Sequence, residues 1–412
     1  MNIRSITYFE KVDWPLKKQQ LRQAGDFIKM AKDVFDEKGF HVQTTRLASA
    51  PFPIILGNKV GQDTVNFAGA LEEQLLKSGF DYLSIGPALP GNNQSYQVIP
   101  DVLAKTQNVF SAGMISSVDS GIYPEAIKLC AEVIKKNSLI SRDGFANLRF
   151  AALANVPPGT PFLPAAFHDS HNRPGFAIAT ESADLAVSAF SNAANLDEAR
   201  LLLIKNIEGV AGEITRISQD LAAKTKVQFM GIDFSLAPFP TREQSIGTAI
   251  EALGVPGVGN QGTLAAIAIL TEAVERANFP RIGFNGVMLP VLEDSVLAKS
   301  VAADLLTIND LLLYSAVCGT GLDTIPLPGS VSEGQLYGVL LDLAVLAQRL
   351  GKPLTARLMP IPGKQAADAT NFNFEYFANS TIMKLKDEPL LGFLAEAGPF
   401  HLLTRSEHEA RK

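Results

Sequence analysis

The chain has 412 residues, of which 47% are hydrophobic and only 19% charged, enough apolar material to bury a large core without disulfide or metal support. Its 36 basic and 42 acidic residues leave a net charge of −6, and no basic run or arginine-rich helix stands out, so nucleic acid and anionic membrane are poor partners on charge grounds. The opening MNIRSITYFEKVDW has no apolar signal core, the greasy stretches such as Leu336–Leu350 fall short of a membrane span, and only two cysteines occur; a reduced, cytoplasmic protein is the expectation.

From the N-terminus onward, β-like and helix-like segments alternate. Strands are expected at Ile3–Phe9, His41–Leu47, Tyr82–Ile85, Val109–Met114, Leu148–Ala154, Phe176–Ala179, Val227–Phe234, Gly286–Leu289, Leu322–Leu327 and Thr355–Met359. Helical periodicity occupies Pro15–Glu37, with Gly39 as its C-cap, then Thr64–Ser78, Pro124–Lys136, Asp197–Ala223, Glu243–Leu253, Leu264–Ala277 and Gln335–Leu350. Thr241-x-x-Gln244 reads as a capping box for the Glu243 helix. Length alone would allow two or three domains. No linker, charge block or short repeat divides the chain, however, so one α/β domain spanning 1–412 is expected, with about 364–412 as a peripheral tail.

Residues that an ordinary core does not require gather in five strand-end loops. His168 and His171, either side of Asp169 and Ser170, have the donors for a metal or a proton shuttle; two solvated loop histidines are the plainer reading, and the metal question stays open. Asp233, Glu293, Asp294 and Asp323 would form an acid/base or cation-binding cluster if their strand ends converge. Otherwise each caps a helix or ties a turn, and Asp294, just before a helical run, fits that role. Glu181 in Thr180-Glu181-Ser182, and Asn285 before Gly286, are candidate ligand contacts. Gly257-Val-Gly259-Asn-Gln-Gly262 matches a dinucleotide fingerprint literally, but it follows a helix rather than a strand and reads as a turn between two helices.

Cys130 sits at helical spacing in EAIKLCAEVIKK and reads as core. Cys318 precedes Gly319-Thr320-Gly321, a turn whose backbone N–H groups can approach a sulfur or a substrate oxygen, so Cys318 is a candidate nucleophile or redox centre. A small apolar residue before a glycine turn is the alternative.

Taken together, FAALANVPPGTPFLPAAFH, TESADLA, GIDFSLAP, VMLPVLEDSVL, CGTGLDTIPLPG and ARLMPIPGK resemble the uncharacterised DUF711 (UPF0210) family, from IRSIT through about Gly363. That resemblance implies a ten-stranded α/β barrel like those of pyruvate formate-lyase and ribonucleotide reductase, with helices around the outside. It also implies that Cys318 is the position matching their finger-loop cysteine. The R-V-x-G-[FWY] sequence of glycyl-radical enzymes is missing after Gly363, so a glycyl radical is not expected. Two functions remain. One is an enzyme acting on a small polar or anionic metabolite, with Cys318 as nucleophile, Asp233 and Glu293 as acid/base groups, His168 as shuttle, and Glu181, Asn285, Gly319, Thr320, Gly321 and Asp323 around the ligand. The other is a ligand-sensing barrel without catalysis. No cofactor can be named from the sequence, and assembly into a homo-oligomer is a further alternative.

Overall fold

Ten strands form one mixed sheet in a computed structural model that describes residues 1–61, 63–171, 173–386 and 388–404. The strands are β1 (Asn2–Phe9), β2 (Val42–Ala48), β3 (Tyr82–Ala88), β4 (Val109–Ser117), β5 (Gly121–Ile122), β6 (Phe150–Ala154), β7 (Gly175–Glu181), β8 (Gln228–Asp233), β9 (Gly321–Pro328) and β10 (Leu354–Ile361). Along the sheet they run β8-β7-β1-β2-β3-β4-β6-β10-β9, with β5 attached to β4 as a short hairpin arm.

The directions divide the sheet into two groups. Strands β1, β2, β3, β4 and β6 pair in parallel, and so do β7 with β8 and β9 with β10. The groups meet antiparallel at two seams, β1 against β7 and β6 against β10. Ladders do not close the sheet. Its two free edges, β8 and β9, lie against residues 280–291, which touch them through single parallel bridges from Ile232 to Arg281 and from Asp323 to Pro290, with a third from Leu236, just beyond β8, to Val287.

Nine of the ten expected strands are present, with ends shifted by a few residues. The exception is Gly286–Leu289, which bridges its neighbours but builds no ladder. The backbone here is irregular: Asn285 takes a left-handed φ of 50°, and Gly286 and Gly319 approach so closely that a Cβ on Gly286 would lie 2.8 Å from the Gly319 Cα. The tenth strand is instead Gly121–Ile122, too short to announce itself by alternation.

The long helices fall where the apolar period placed them, for example Lys18–Glu37, Leu196–Thr225 and Glu333–Leu350. Gly39 follows the first of these with φ 85°, and its N–H donates to the Asp36 carbonyl. The expected capping box at Thr241 does not form. That helix starts later, as Ile246–Ala252 with Ser245 as its N-cap. Asp294 is the reason, because its Oδ2 already accepts from the N–H groups of Ile246 and Gly247. Short helices such as Ala183–Asn192 and Ile308–Tyr314 form in addition, too brief to show a period in the sequence. The glycine-rich run 257–262 is a turn between two helices, as its sequence context suggested. Among the described residues no helix is long and apolar enough to cross a membrane.

The two faces of the sheet bury different things. Ile6 and Tyr8, Leu47, Leu83 and Ile85, and Leu354, Ala356 and Leu358 point into the large core shared with the helices. The opposite face is covered by the proline-rich loop after β6. There Phe162, Leu163, Ala165, Ala166 and Phe167 pack in small clusters with Phe9, Ala48, Phe110, Ala112 and Leu153.

Candidate functional site

A buried cluster of arginines occupies this loop-covered face, the inner face of the sheet. Alternation along β2 sends Thr44 and Arg46 inward, opposite Leu47; alternation along β10 does the same for Thr355 and Arg357. Arg4 joins them where β1 slips register between Ile3 and Ser5. Strands buried on both faces are normally apolar throughout, so a guanidinium in the middle of one needs a specific purpose.

Glu293 reaches the cluster because its neighbours are fixed elsewhere. The Val291 N–H donates to the Asp323 carbonyl and the Leu292 N–H to Thr324 Oγ1, which ties the turn to β9. Asp294 holds the start of two helices, accepting from the N–H groups of Val296 and Leu297 in one and of Ile246 and Gly247 in the other. Between these anchors the Glu293 side chain turns inward. Its Oε1 accepts from Arg357 Nη2 at 2.8 Å, and its Oε2 pairs with Arg4 Nη2. Arg357 also donates from Nε to Asp323 Oδ1 at 2.6 Å and lies 5.5 Å over the Phe162 ring.

Charge settles unevenly in this network. Burial pushes the Glu293 carboxyl up, but Arg4 and Arg357 outweigh it and hold it below the ordinary carboxylate value. For Asp323 burial prevails over the attraction of Arg357, so its carboxyl is raised. Arg46 is the exception among the arginines. Its Nε donates to Thr44 Oγ1 at 2.9 Å, and among the described residues no carboxylate forms an ion pair with it. Burial, then the nearby Arg4 charge, pushes its pKa down to about 9. A guanidinium with that value is still cationic at neutral pH.

These groups open onto a cavity of about 80 Å³, several times the ~10–15 Å³ that one water needs. Arg4, Thr44, Arg46, Glu293 and Arg357 form its polar floor, and Gln43 stands at the side. Phe110, Phe162, Tyr82, Phe374 and Tyr376 supply the walls, the last two from the segment expected to be a peripheral tail. That segment is tied down by the Ala378 N–H donating to the Leu292 carbonyl and Ser380 Oγ to the Ala298 carbonyl; residues 405–412 of the expected tail lie outside the described residues.

Of the residues singled out by sequence, Glu293 lines this cavity, Asp323 stands behind Arg357, and Glu181 is one step back, accepting from Gln43 Nε2 at 2.8 Å and Asn2 Nδ2 at 3.1 Å. The others are elsewhere. Asp233 ties the end of β8 to the 284–285 turn, accepting from Ser235 Oγ at 2.5 Å and from the N–H groups of Phe284 and Asn285; burial raises its carboxyl despite these bonds. His168 is buried, its Nδ1 accepting from the Ser170 N–H at 3.1 Å, and burial lowers its pKa. Cys318 packs into the helix-side core at 1% exposure, with its Sγ accepting from the Gly321 N–H at 3.4 Å. Together with Asn285 and Gly319 it borders a second hollow that shares no lining residue with the arginine cavity. Thr320 contributes its carbonyl to the Thr355 N–H rather than its side chain to either hollow. Among the described residues no three His, Cys, Asp or Glu side chains converge in a metal-binding group.

The arginines lie in strands rather than in the strand-end loops that hold the conspicuous acids, histidines and cysteine. Their signal was present in VQTTRLA and LTARLMPI, each a charged residue at an alternate position of an otherwise uncharged strand.

Residues 1–376 match a family described as Uncharacterised ACR (DUF711). A UPF0210 protein of Pyrobaculum aerophilum is 31% identical over 351 residues, covering 80% of this chain and 76% of its own length. UPF0210 proteins of Methanosarcina acetivorans and Acetivibrio thermocellus are 29% and 28% identical, covering 85% and 92% of this chain and 79% and 86% of their own lengths.

Proposed function

This chain belongs to the DUF711 family, and we propose that it binds a small anionic metabolite in the arginine-floored cavity on the inner face of its sheet. One observation carries the reading. Arg46 is a buried cation with no carboxylate partner among the described residues, while Arg4 and Arg357 beside it are paired. Glu293 attracts Arg46 without bonding it; a buried charge that lacks a direct ionic partner is expensive, and an anionic ligand is the natural compensation. The flanking Glu293, held anionic between two guanidiniums, orients them and is poorly suited to give or take a proton near neutral pH. Binding, in a sensing or carrier role, is therefore favoured over acid/base catalysis at this cavity. The test is thermal unfolding of the full chain with and without millimolar acetate or phosphate. A rise in midpoint that disappears in Arg46→Gln supports the reading, and no rise with either anion or with the larger carboxylate phenylacetate sinks it.

The sheet is read as an α/β barrel of the pyruvate formate-lyase kind, and the whole chain as one domain around it. Support comes from the two parallel groups joined antiparallel at both seams, and from residues 280–291 bridging the remaining edges. On this reading the cavity lies inside the barrel, and the loop covering the inner face is 155–168 rather than the one bearing Cys318.

A second reading keeps catalysis at Cys318, favoured by its sharing a hollow with Asn285, Gly319 and Lys352. Rapid alkylation of the native Cys318 thiol would favour it; protection until unfolding would count against it.

A further inference from the structure

The walls of the arginine cavity bear on what kind of anion it takes. Tyr82 and Phe110 meet edge to face at 5.4 Å, and Phe374 and Tyr376 pack at 5.2 Å. Leu148 and Phe162 complete a lining that is far more apolar than a phosphate or a sugar acid requires. On the floor, one guanidinium is unpaired, and its planar fork matches the two oxygens of a carboxylate. A second negative charge on the ligand would face the Glu293 carboxylate, which lines the same cavity.

We infer that the ligand is a monocarboxylate carrying an aromatic or branched apolar body, with its carboxylate on Arg46 and its body between the aromatic walls. This rests on the anion-binding reading given above. The two parts of the ligand are recognised by separate residues: Arg46 from β2 takes the charge, and Tyr376 from the C-terminal segment takes part of the body. Burying an apolar body against rings that otherwise face water adds affinity in proportion to the area covered.

The experiment is calorimetric titration of the full-length protein with phenylacetate, acetate and inorganic phosphate. Phenylacetate is expected to bind at least tenfold more tightly than acetate, and phosphate no more tightly than acetate. Arg46→Gln should weaken phenylacetate and acetate alike, by tenfold or more. Tyr376→Ala, at a half-buried position outside the sheet, should weaken phenylacetate severalfold more than acetate. Should Arg46→Gln fail to fold, that selective loss in Tyr376→Ala carries the test alone.

Phosphate binding more tightly than phenylacetate, and lost in Arg46→Gln, would overturn the ligand class and leave the anion site standing. Equal affinity for phenylacetate and acetate, or equal weakening of both by Tyr376→Ala, would overturn the apolar body. Absence of saturable binding by all three probes, or binding indifferent to Arg46→Gln, would overturn the class and the anion site together.

Discussion

Arg357 Nη2 donates to Glu293 Oε1 at 2.8 Å, joining β10 to the turn that follows residues 280–291. Nε of the same guanidinium holds Asp323 of β9, so one side chain ties three segments at the unladdered part of the sheet. Both partners are almost fully buried. Removing the cation while keeping the acids leaves uncompensated charge in the interior, so Arg357→Met is expected to cost roughly 3–5 kcal/mol. A shift in the urea midpoint at constant slope measures it; a loss under 1 kcal/mol would show that the acids find other partners or protonate cheaply.

Glu293 gives this network a pH dependence with a definite sign. Its folded pKa lies below the ordinary value, so its contribution is complete above the unfolded pKa of about 4.3 and is lost as the pH falls through the folded value. Asp233, Asp294 and Asp323 are raised by burial and act in the opposite sense: they bind protons more readily when folded, and stability declines as the pH rises through the interval above about 3.9. Glu293→Gln should therefore flatten the fall in stability below pH ~4.3, even though it lowers stability at neutral pH. Urea midpoints at closely spaced acidic pH values for both proteins would show it, and parallel acid limbs would refute the assignment.

Much of the sheet was readable from sequence because alternation and helical period are local properties. Arg46 and Arg357 were readable too, as single charges inside otherwise uncharged strands, a signal that gains meaning only when both faces of the strand are buried. Their meeting with Glu293 was not. It depends on how 290–294 is pinned to β9 and to two helix starts, a long-range arrangement that no spacing encodes. Cys318 illustrates the converse: a conspicuous residue in a glycine turn whose side chain the fold directs into the helix-side core. Phe374 and Tyr376 lay in a stretch without period, and their place at the cavity follows from hydrogen bonds to residues 292 and 298 rather than from any element of their own.

Asp294 is the clearest case of a loop acid with a structural task. Oδ1 accepts from Ser245 Oγ and from the N–H groups of Val296 and Leu297; Oδ2 accepts from those of Ile246 and Gly247. It therefore satisfies the N-termini of two helices at once. A single N-cap replacement by alanine costs about 1 kcal/mol, and the doubled role in a fully buried setting should bring Asp294→Ala to about 2–4 kcal/mol. Asn should fall between, since its amide can keep one set of contacts while its NH2 faces donors on the other. Equal stabilities for the Ala and Asn variants in urea would mean that the two sets are not separately bonded.

Arg46 should respond in the opposite direction from Arg357. Because no acid forms an ion pair with it, replacing it by methionine removes a buried cation and leaves Glu293 bonded to Arg4 and Arg357. Substituting apolar residues for buried charge is often neutral or stabilising by about 1–4 kcal/mol. The unliganded Arg46→Met protein is therefore expected to be at least as stable as the wild type, by up to about 2 kcal/mol. At the same time it should lose the stabilisation that carboxylates give. A site retained at a cost to the empty protein is what a binding role predicts, whereas a purely structural arginine would be missed in the absence of ligand. Thermal unfolding of both proteins, alone and with carboxylate, separates the two: a destabilised, ligand-indifferent Arg46→Met would assign the residue to architecture.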